Sequence, residues 1–388
     1  MIRHVQSRRS FPCGLLSLLL LAMPLSAAEP EQDVFTGVER VVAVGDVHGD
    51  CDQLVAVLRS ADLIDAQENW SAGKTHLVQT GDLLDRGSDS RKAMDLLMKL
   101  EGQARDAGGA VHVLIGNHEA MNLYGDLRYV SAGEYAAFRD ADSEKAREAL
   151  YEEHKKQLRE SPPAGPVPEL DDAYRKRWES EHPLGYAEHR RAFGPAGKYG
   201  KWIRGHNATI RIDGTLFLHG GISPRFSDLT IRQINERVRA ELEDFTKLKG
   251  GIASDEEGPL WYRGLAQGDE KTLGPHVETV LRKHGVERIV IGHTFTEGAV
   301  IPRFSARVLL IDVGLARLYD PKLRSACLLI EKGRPSALHR GKKLELPSDD
   351  GQDLLRYLKQ AAALDPPPSP LTKRIAALDA RLAVPAGK

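Results

Sequence analysis

The chain has 388 residues, 41% of them hydrophobic and 28% charged, a globular balance long enough for one large domain or two ordinary ones. Its 54 basic and 55 acidic residues leave a formal net charge of −1, so no overall field draws it to nucleic acid or to an anionic membrane surface. The cysteines are Cys13, Cys51 and Cys327, too few and too far apart for a disulfide framework.

At the start, Arg3, Arg8 and Arg9 precede the apolar run from Leu15 to Leu25, and Ser26, Ala27 and Ala28 follow as a small-residue cleavage site. This predicts a signal peptide over residues 1–28, a periplasmic or secreted protein, and no stable membrane anchor once the segment is removed. A spanning helix needs about 18 or more apolar residues, and this run is shorter and broken by Pro24. The segment SRRSF (7–11) resembles a twin-arginine signal, whereas the leucine-rich run suits the ordinary secretory route; both readings stand.

Five apolar runs then end in polar, glycine-containing turns: VVAVGD (41–46), HLVQTGD (76–82), VHVLIGN (111–117), LFLHGG (216–221) and RIVIGH (288–293). Each reads as a buried strand emptying into a loop. Helical patterns at 54–63 and 88–107 separate the first three, which predicts βαβαβ and a parallel sheet, with ligands bound beyond the carboxyl ends of the strands. The charged, helix-prone stretch from Gly133 to about Glu160, the breaker SPPAGPVP (161–168) and a helix over 170–181 predict a cap inserted at about 126–200. A further helix is expected over 230–248, with Ile231, Ile234, Val238 and Leu242 on its buried face. A main domain over 38–335 and a partly helical tail over 336–388, interrupted by PPPSP (366–370), complete the expected organisation.

The chemistry sits at the strand ends. Asp46 and His48 occupy the first turn, Asp82, Asp85 and Arg86 the second, Asn117 and His118 the third, and His219 and His293 close the later strands. Several carboxylates brought together by adjacent strands are electrostatically costly unless cations neutralise them, so the pattern implies metal. Carboxylate, amide and imidazole donors without thiolate suit manganese, iron or zinc. The set Asp46, His48, Asp82, Asn117, His219 and His293 is too large for one catalytic ion with an open face and fits two divalent ions sharing Asp82.

The ordered blocks GDVHG, GDLLDRG, GNHE and HGG resemble the metallophosphoesterases of the phosphoprotein phosphatase superfamily, over about residues 40–315. The resemblance implies a four-layer α/β/β/α sandwich, with Asp46 and His48 on one ion, Asp82 bridging, and Asn117, His219 and His293 on the other. It also implies that Arg86, Arg263 and Asn117 bind the substrate phosphate, that hydroxide is the nucleophile, and that His118 protonates the leaving group with Asp85 behind it. The arginine that precedes GNHE in the eukaryotic Ser/Thr members is replaced by Ile115, and their later Ser-Ala-Pro-Asn-Tyr segment is missing. WIRGHNATIRIDGTLFLHGGISP (202–224) and PLWYRG (259–264) resemble instead the Shewanella-like protein phosphatases, a branch with phosphotyrosine-active members. The substrate implied is a phosphoprotein or a small phosphomonoester. A dinucleoside polyphosphate hydrolase and a non-catalytic metal-binding module are the alternatives. Two neighbours stay open: His206 reads as a hydrogen-bonded loop residue, and Asp312 as either a support for a ligand histidine or a strand-end turn.

Overall fold

The computed structural model describes residues 32–161, 168–349 and 351–383. Two units are distinguished, residues 1–30, which carry the expected signal peptide and lie outside the described residues, and residues 31–388, to which everything below belongs.

The strands in chain order are β1 (Val34–Phe35), β2 (Arg40–Val44), β3 (His76–Gln79), β4 (Ala110–Val113), β5 (Thr209–Ile212), β6 (Thr215–Leu218), β7 (Arg288–Ile291), β8 (Ile301–Arg303), β9 (Val308–Leu310), β10 (Ala326–Glu331), β11 (Arg334–His339) and β12 (Lys342–Glu345). The helices are α1 (Cys51–Ser60), α2 (Ser90–Asp106), α3 (Asn117–Tyr124), α4 (Ala132–Ala137), α5 (Ser143–Glu160), α6 (Asp172–Glu181), α7 (Tyr186–Phe193), α8 (Lys198–Gly205), α9 (Ile231–Glu243), α10 (Gly264–Gln267), α11 (Glu270–His284), α12 (Gln352–Leu364) and α13 (Thr372–Ala383). They build a mixed α/β fold of two six-stranded sheets flanked by helices, in strand orders β12-β11-β10-β2-β3-β4 and β1-β5-β6-β7-β9-β8.

Register places the chemistry. In the first sheet β2, β3 and β4 run parallel, with Val44 opposite Gln79 and Gln79 opposite Val113, so the three strands end level and their loops leave from one edge. In the second sheet β6, β7 and β9 are also parallel, with Leu218 opposite Ile291 and Ile291 opposite Leu310. Val41–Val44, Leu216–Leu218 and Ile289–Ile291 are buried throughout, as expected of strands covered on both faces. Helix α1 starts three residues before the expected 54, because the Asp50 carboxylate accepts from the Gln53 N–H at 3.3 Å and caps it. Its buried Leu54, Val57 and Leu58 lie at helical spacing. The segment expected as a cap carries α4 to α7 and the start of α8. Cys51 and Cys327 are unpaired and buried, and no helix among the described residues is long and apolar enough to cross a membrane.

The expected boundary at 335/336 needs correction. It falls inside β11, which pairs with β10 from Arg334 to His339, and β12 extends the same sheet to Glu345. Beyond it, α12 docks through Leu354, Leu355 and Leu358, and the Tyr357 hydroxyl donates to the Val300 carbonyl at 2.9 Å. Asp365, at the end of α12, joins this region to β11. Its carboxylate meets His339 Nε2 at 3.0 Å, accepts from Arg340 Nε at 2.8 Å and from the Ser369 hydroxyl at 2.7 Å.

Burial pushes the Asp365 carboxyl up, but the hydrogen bonds from His339, Arg340 and Ser369 outweigh it and hold the group at about 2, against 3.8 for the free side chain. A depressed folded-state value means that the stabilisation is present above about pH 4 and is lost as pH falls toward 2. Asp365→Asn is therefore expected to destabilise the protein by on the order of 2 kcal/mol at neutral pH. Thermal unfolding of the two proteins across pH 2 to 7 should show their difference closing below pH 4.

Candidate active site

Asp82 lies at the centre of the converging loops, buried, with its two oxygens in different surroundings. Oδ2 is 3.9 Å from His48 Nε2 and 3.7 Å from His118 Nε2. Oδ1 accepts the His118 backbone N–H at 3.0 Å and is 3.3 Å from His219 Nε2. His219 Nε2 is in turn 3.0 Å from both Asn117 Oδ1 and His293 Nδ1, and Asp46 Oδ2 is 3.9 Å from His48 Nε2. All six side chains expected to ligate ions are thus gathered at one place.

The imidazoles are held by their outward nitrogens. His48 Nδ1 faces the Leu84 carbonyl at 3.1 Å, His219 Nδ1 the Thr80 carbonyl at 2.9 Å, and His293 Nε2 the Trp261 carbonyl at 3.0 Å. A carbonyl only accepts, so each of these nitrogens carries a hydrogen, and in the neutral ring, the form that binds a metal, the opposite nitrogen turns its lone pair inward. The His219 and His293 lone pairs then confront each other at 3.0 Å, which requires a proton or a cation between them. Asp46 Oδ2 is buried without a hydrogen-bond partner. Burial, Asp312 and then Asp82 push the Asp46 carboxyl well above its usual range. Asp82 is held well below its range, because His219, His118 and His48 outweigh burial. Inward lone pairs, an orphaned carboxylate oxygen and a donor set without thiolate fit divalent cations, and the trios His48–Asp82–His118 and Asp82–His219–His293 are compatible with a binuclear site.

Backbone geometry accommodates the crowding. His48, Asp82, Asp85, Arg86 and His293 all adopt the left-handed region, with φ of 49°, 55°, 70°, 66° and 63°. Such conformations persist only where surrounding structure enforces them, and they cluster at functional sites. Gly116 is required by close approach: a Cβ there would lie 2.4 Å from Asp82 Oδ1 and 2.5 Å from the Asp82 nitrogen.

Beside the cluster, Asp85 Oδ2 is 2.6 Å from His118 Nδ1. Burial opposes protonation of His118, but the Asp82 charge and the Asp85 hydrogen bond outweigh it and hold the imidazole above its usual range. Arg86 Nη2 lies 3.5 Å from His118 Nε2. Arg263 Nη1 donates to the His293 carbonyl at 2.6 Å and to Thr294 Oγ1 at 3.2 Å, which anchors one nitrogen of an exposed guanidinium at the edge of the cluster. Of the two open residues, Asp312 Oδ1 accepts the Gly314 N–H at 3.0 Å and so closes a strand-end turn, and His206 Nε2 is 3.2 Å from Glu101 Oε1.

Three supporting groups went unassigned in the sequence. The buried Glu119 carboxylate accepts the N–H groups of Asp82 at 2.8 Å, Leu83 at 2.9 Å and Gly116 at 2.8 Å, which ties the second loop to the third. Asn122 Nδ2 donates to Asp85 Oδ1 at 2.8 Å. Tyr129 lies with its ring 5.0 Å from that of His118 and 5.2 Å from the Arg86 guanidinium carbon. Glu119 falls inside GNHE and was visible there; Asn122 and Tyr129 carry no local signal.

Comparison with known proteins gives this geometry a context. A family model described as calcineurin-like phosphoesterase matches residues 39–296. The chain belongs to this family. As a calcineurin-like phosphoesterase it is a hydrolase of phosphoric monoesters, which sets aside the non-catalytic module. An uncharacterised protein of Schizosaccharomyces pombe is 31% identical over 326 residues, 79% of this phosphoesterase and 82% of its own length. Shewanella-like protein phosphatase 2 of Arabidopsis thaliana is 29% identical over 312 residues, 76% of each chain. The crystal structure of the cold-active protein-tyrosine phosphatase of a psychrophilic Shewanella species is similar with a TM-score of 0.63 at 30% identity, covering 82% of this phosphoesterase and 83% of that chain.

Because the Gly116 backbone is extended and no left-handed strain would be added, Gly116→Ala isolates the steric conflict with Asp82. Metal affinity is expected to fall roughly 10- to 100-fold, the scale seen when a group supporting a ligand is disturbed. Titration of metal into the apoprotein, with circular dichroism confirming the fold, measures it.

Proposed function

We propose that this phosphoesterase is an exported two-metal protein phosphatase that prefers phosphotyrosine over phosphoserine and phosphothreonine. The observation that carries the reading is Asp82, whose Oδ2 faces His48 and whose Oδ1 faces His219. In this reading Asp46, His48 and Asp82 hold one ion, and Asp82, Asn117, His219 and His293 the other. Manganese is the expected metal, with iron and zinc compatible with the same donors. Such ions, when bound, supply Lewis acidity that acidifies water and offsets charge on the phosphoryl oxygens.

The side chains do the rest. Arg86 and Arg263 present planar forks to non-bridging phosphate oxygens, a geometry lysine cannot reproduce, and Asn117 is the third group assigned to the phosphate. Cationic His118 donates Nδ1–H to Asp85 and keeps Nε2–H for the departing ester oxygen, within reach of the phosphate clamp because Arg86 Nη2 is 3.5 Å away. The phosphotyrosine preference is supported by the similarity to the cold-active protein-tyrosine phosphatase of Shewanella. The easier departure of a phenoxide points the same way. Export is supported by residues 1–28 alone, and the location is periplasmic or secreted.

A general acid contributes about 10² to 10⁴ in rate, most where the leaving oxygen is most basic. His118→Ala is expected to lose most activity on phosphoserine peptides, less on phosphotyrosine, whose phenol has a pKa of about 10, and least on p-nitrophenyl phosphate, with metal content retained. An equal loss on all three substrates would show that His118 acts through metal or phosphate position instead. Fusion of residues 1–28 to a reporter active only in the periplasm should yield active reporter; an inactive fusion removes export from the reading.

A further inference from the structure

Among the described residues, the large apolar side chains left substantially exposed are Tyr129 (41%), Phe245, Phe295 (40%), Leu318 (63%) and Leu323. Of these, Tyr129 and Phe295 are linked to the active site by ring contacts, and Leu318 adjoins Tyr319 in the chain. Tyr129 packs on Arg86 from one side at 5.2 Å, and Tyr319 on the same guanidinium at 5.9 Å. The Tyr319 ring lies 6.0 Å from that of His48, and Phe295 stacks on Tyr319 with centroids 5.3 Å apart and planes 18° apart. Leu318 and Leu323 share the loop that carries Tyr319. Holding Arg86 in place accounts for Tyr129 and Tyr319. It does not account for Phe295, one ring further out, which stays 40% exposed although the Arg324 guanidinium lies 4.6 Å from its ring, or for Leu318.

The loop is built, not loose. The Arg317 backbone N–H donates to Asp50 Oδ2 at 2.8 Å, and its guanidinium reaches the same carboxylate through Nε at 2.9 Å and Nη2 at 3.0 Å. At the other end Gln53 Nε2 donates to the Arg324 carbonyl at 2.9 Å. Asp50 caps α1 and Gln53 lies within it, so both ends are tied to the helix that follows the first metal-ligand loop. The rim is also electrically quiet. Arg317 is matched by Asp50 and Asp52, Arg324 faces Asp320 at 3.6 Å, and Arg128 Nε donates to Asp126 at 2.8 Å. Away from the phosphate clamp of Arg86 and Arg263, a preformed surface whose arginines already face carboxylates suits an apolar partner better than an acidic one.

The surface is continuous with the catalytic centre, and this decides its occupant. A phosphoryl group held at Arg86 would bring its own side chain past Tyr129 and Tyr319, and the adjacent residue, whose Cα is about 3.8 Å along the chain, would come within reach of the ring stacked on Tyr319. We propose that Phe295 and Leu318 form a shelf that receives a bulky apolar side chain next to the phosphorylated residue of a substrate protein. The inference rests on the protein phosphatase reading and adds a sequence preference to it.

The test uses phosphotyrosine peptides that differ only in carrying Leu or Ser immediately before or immediately after the phosphotyrosine. Burying a leucine side chain is worth enough to alter kcat/KM by about tenfold. The wild-type protein is expected to favour Leu over Ser by about that factor on one side, chiefly through KM. The Leu318→Ser single variant and the Phe295→Ser/Leu318→Ser double variant should bring the ratio toward one; being a ratio within each protein, it is insensitive to the amount folded. Equal rates on Leu and Ser peptides in wild type, or undiminished discrimination in the double variant, overturn the shelf and leave the phosphatase intact. If p-nitrophenyl phosphate is hydrolysed but no phosphopeptide is, the protein phosphatase reading fails and the shelf with it.

Discussion

The structure turns on one buried carboxylate. Asp82 is 2% exposed, yet it stands among Asp46, Glu119 and Asp312, which are buried as well. Like charges in a low-dielectric setting raise one another's cost, and each oxygen without a donor adds more. The molecule answers with donors on one side and imidazoles on the other. Glu119 collects three backbone N–H groups, Asp82 Oδ1 takes one from His118, and Asp46 Oδ1 takes one from His293 at 3.0 Å. What remains after these bonds is the inward-facing residue of charge and lone pairs that divalent cations match. The glycines follow from the same crowding, since a Cβ at Gly292 would lie 2.5 Å from Asp46 Oδ1.

Much of this was legible because the signals were local. A run such as VVAV is buried on both sides, and the polar turn after it has to emerge at a sheet edge; five repetitions of that pattern correspond to β2, β3, β4, β6 and β7. Parallel register then levels the ends without further information. The last strands were misread for an equally physical reason. β10 is an apolar strand, but β11 begins exposed and β12 is exposed at both lysines, Lys342 and Lys343, because it forms the edge of the sheet. Charged edge strands discourage further pairing, and in composition they look like a polar tail. Glu119 was legible as a letter of GNHE, but its role needs the simultaneous geometry of three amides from two loops.

The mouth of the site was illegible for a different reason. Tyr129 comes from the segment before α4 and Tyr319 from the loop before β10, 190 residues apart by number, and nothing local to either marks them as partners. They meet because two independent tethers bring them to Arg86. The Arg86 N–H donates to the Tyr129 carbonyl at 2.9 Å and the Ser131 hydroxyl to the Gly87 carbonyl at 2.7 Å, which binds the cap's first strap along the second loop. On the far side, Asp50 and Arg317 hold the late loop to α1.

Arg86 is consequently the joint between two parts with different demands. Its backbone lies in the same strained turn as Asp82 and Asp85, so its origin is set by the chemistry of the cluster. Its side chain is set by two aromatic rings from elements far apart in sequence. A guanidinium packed on aromatic rings can still turn an edge to a bidentate partner, which suits the phosphate role proposed for Arg86. The cluster can therefore remain fixed while the strap and the late loop vary in what they present beyond the phosphate. On the function proposed above, selectivity falls to residues outside the motifs, and the groups that touch Arg86 are where the two meet.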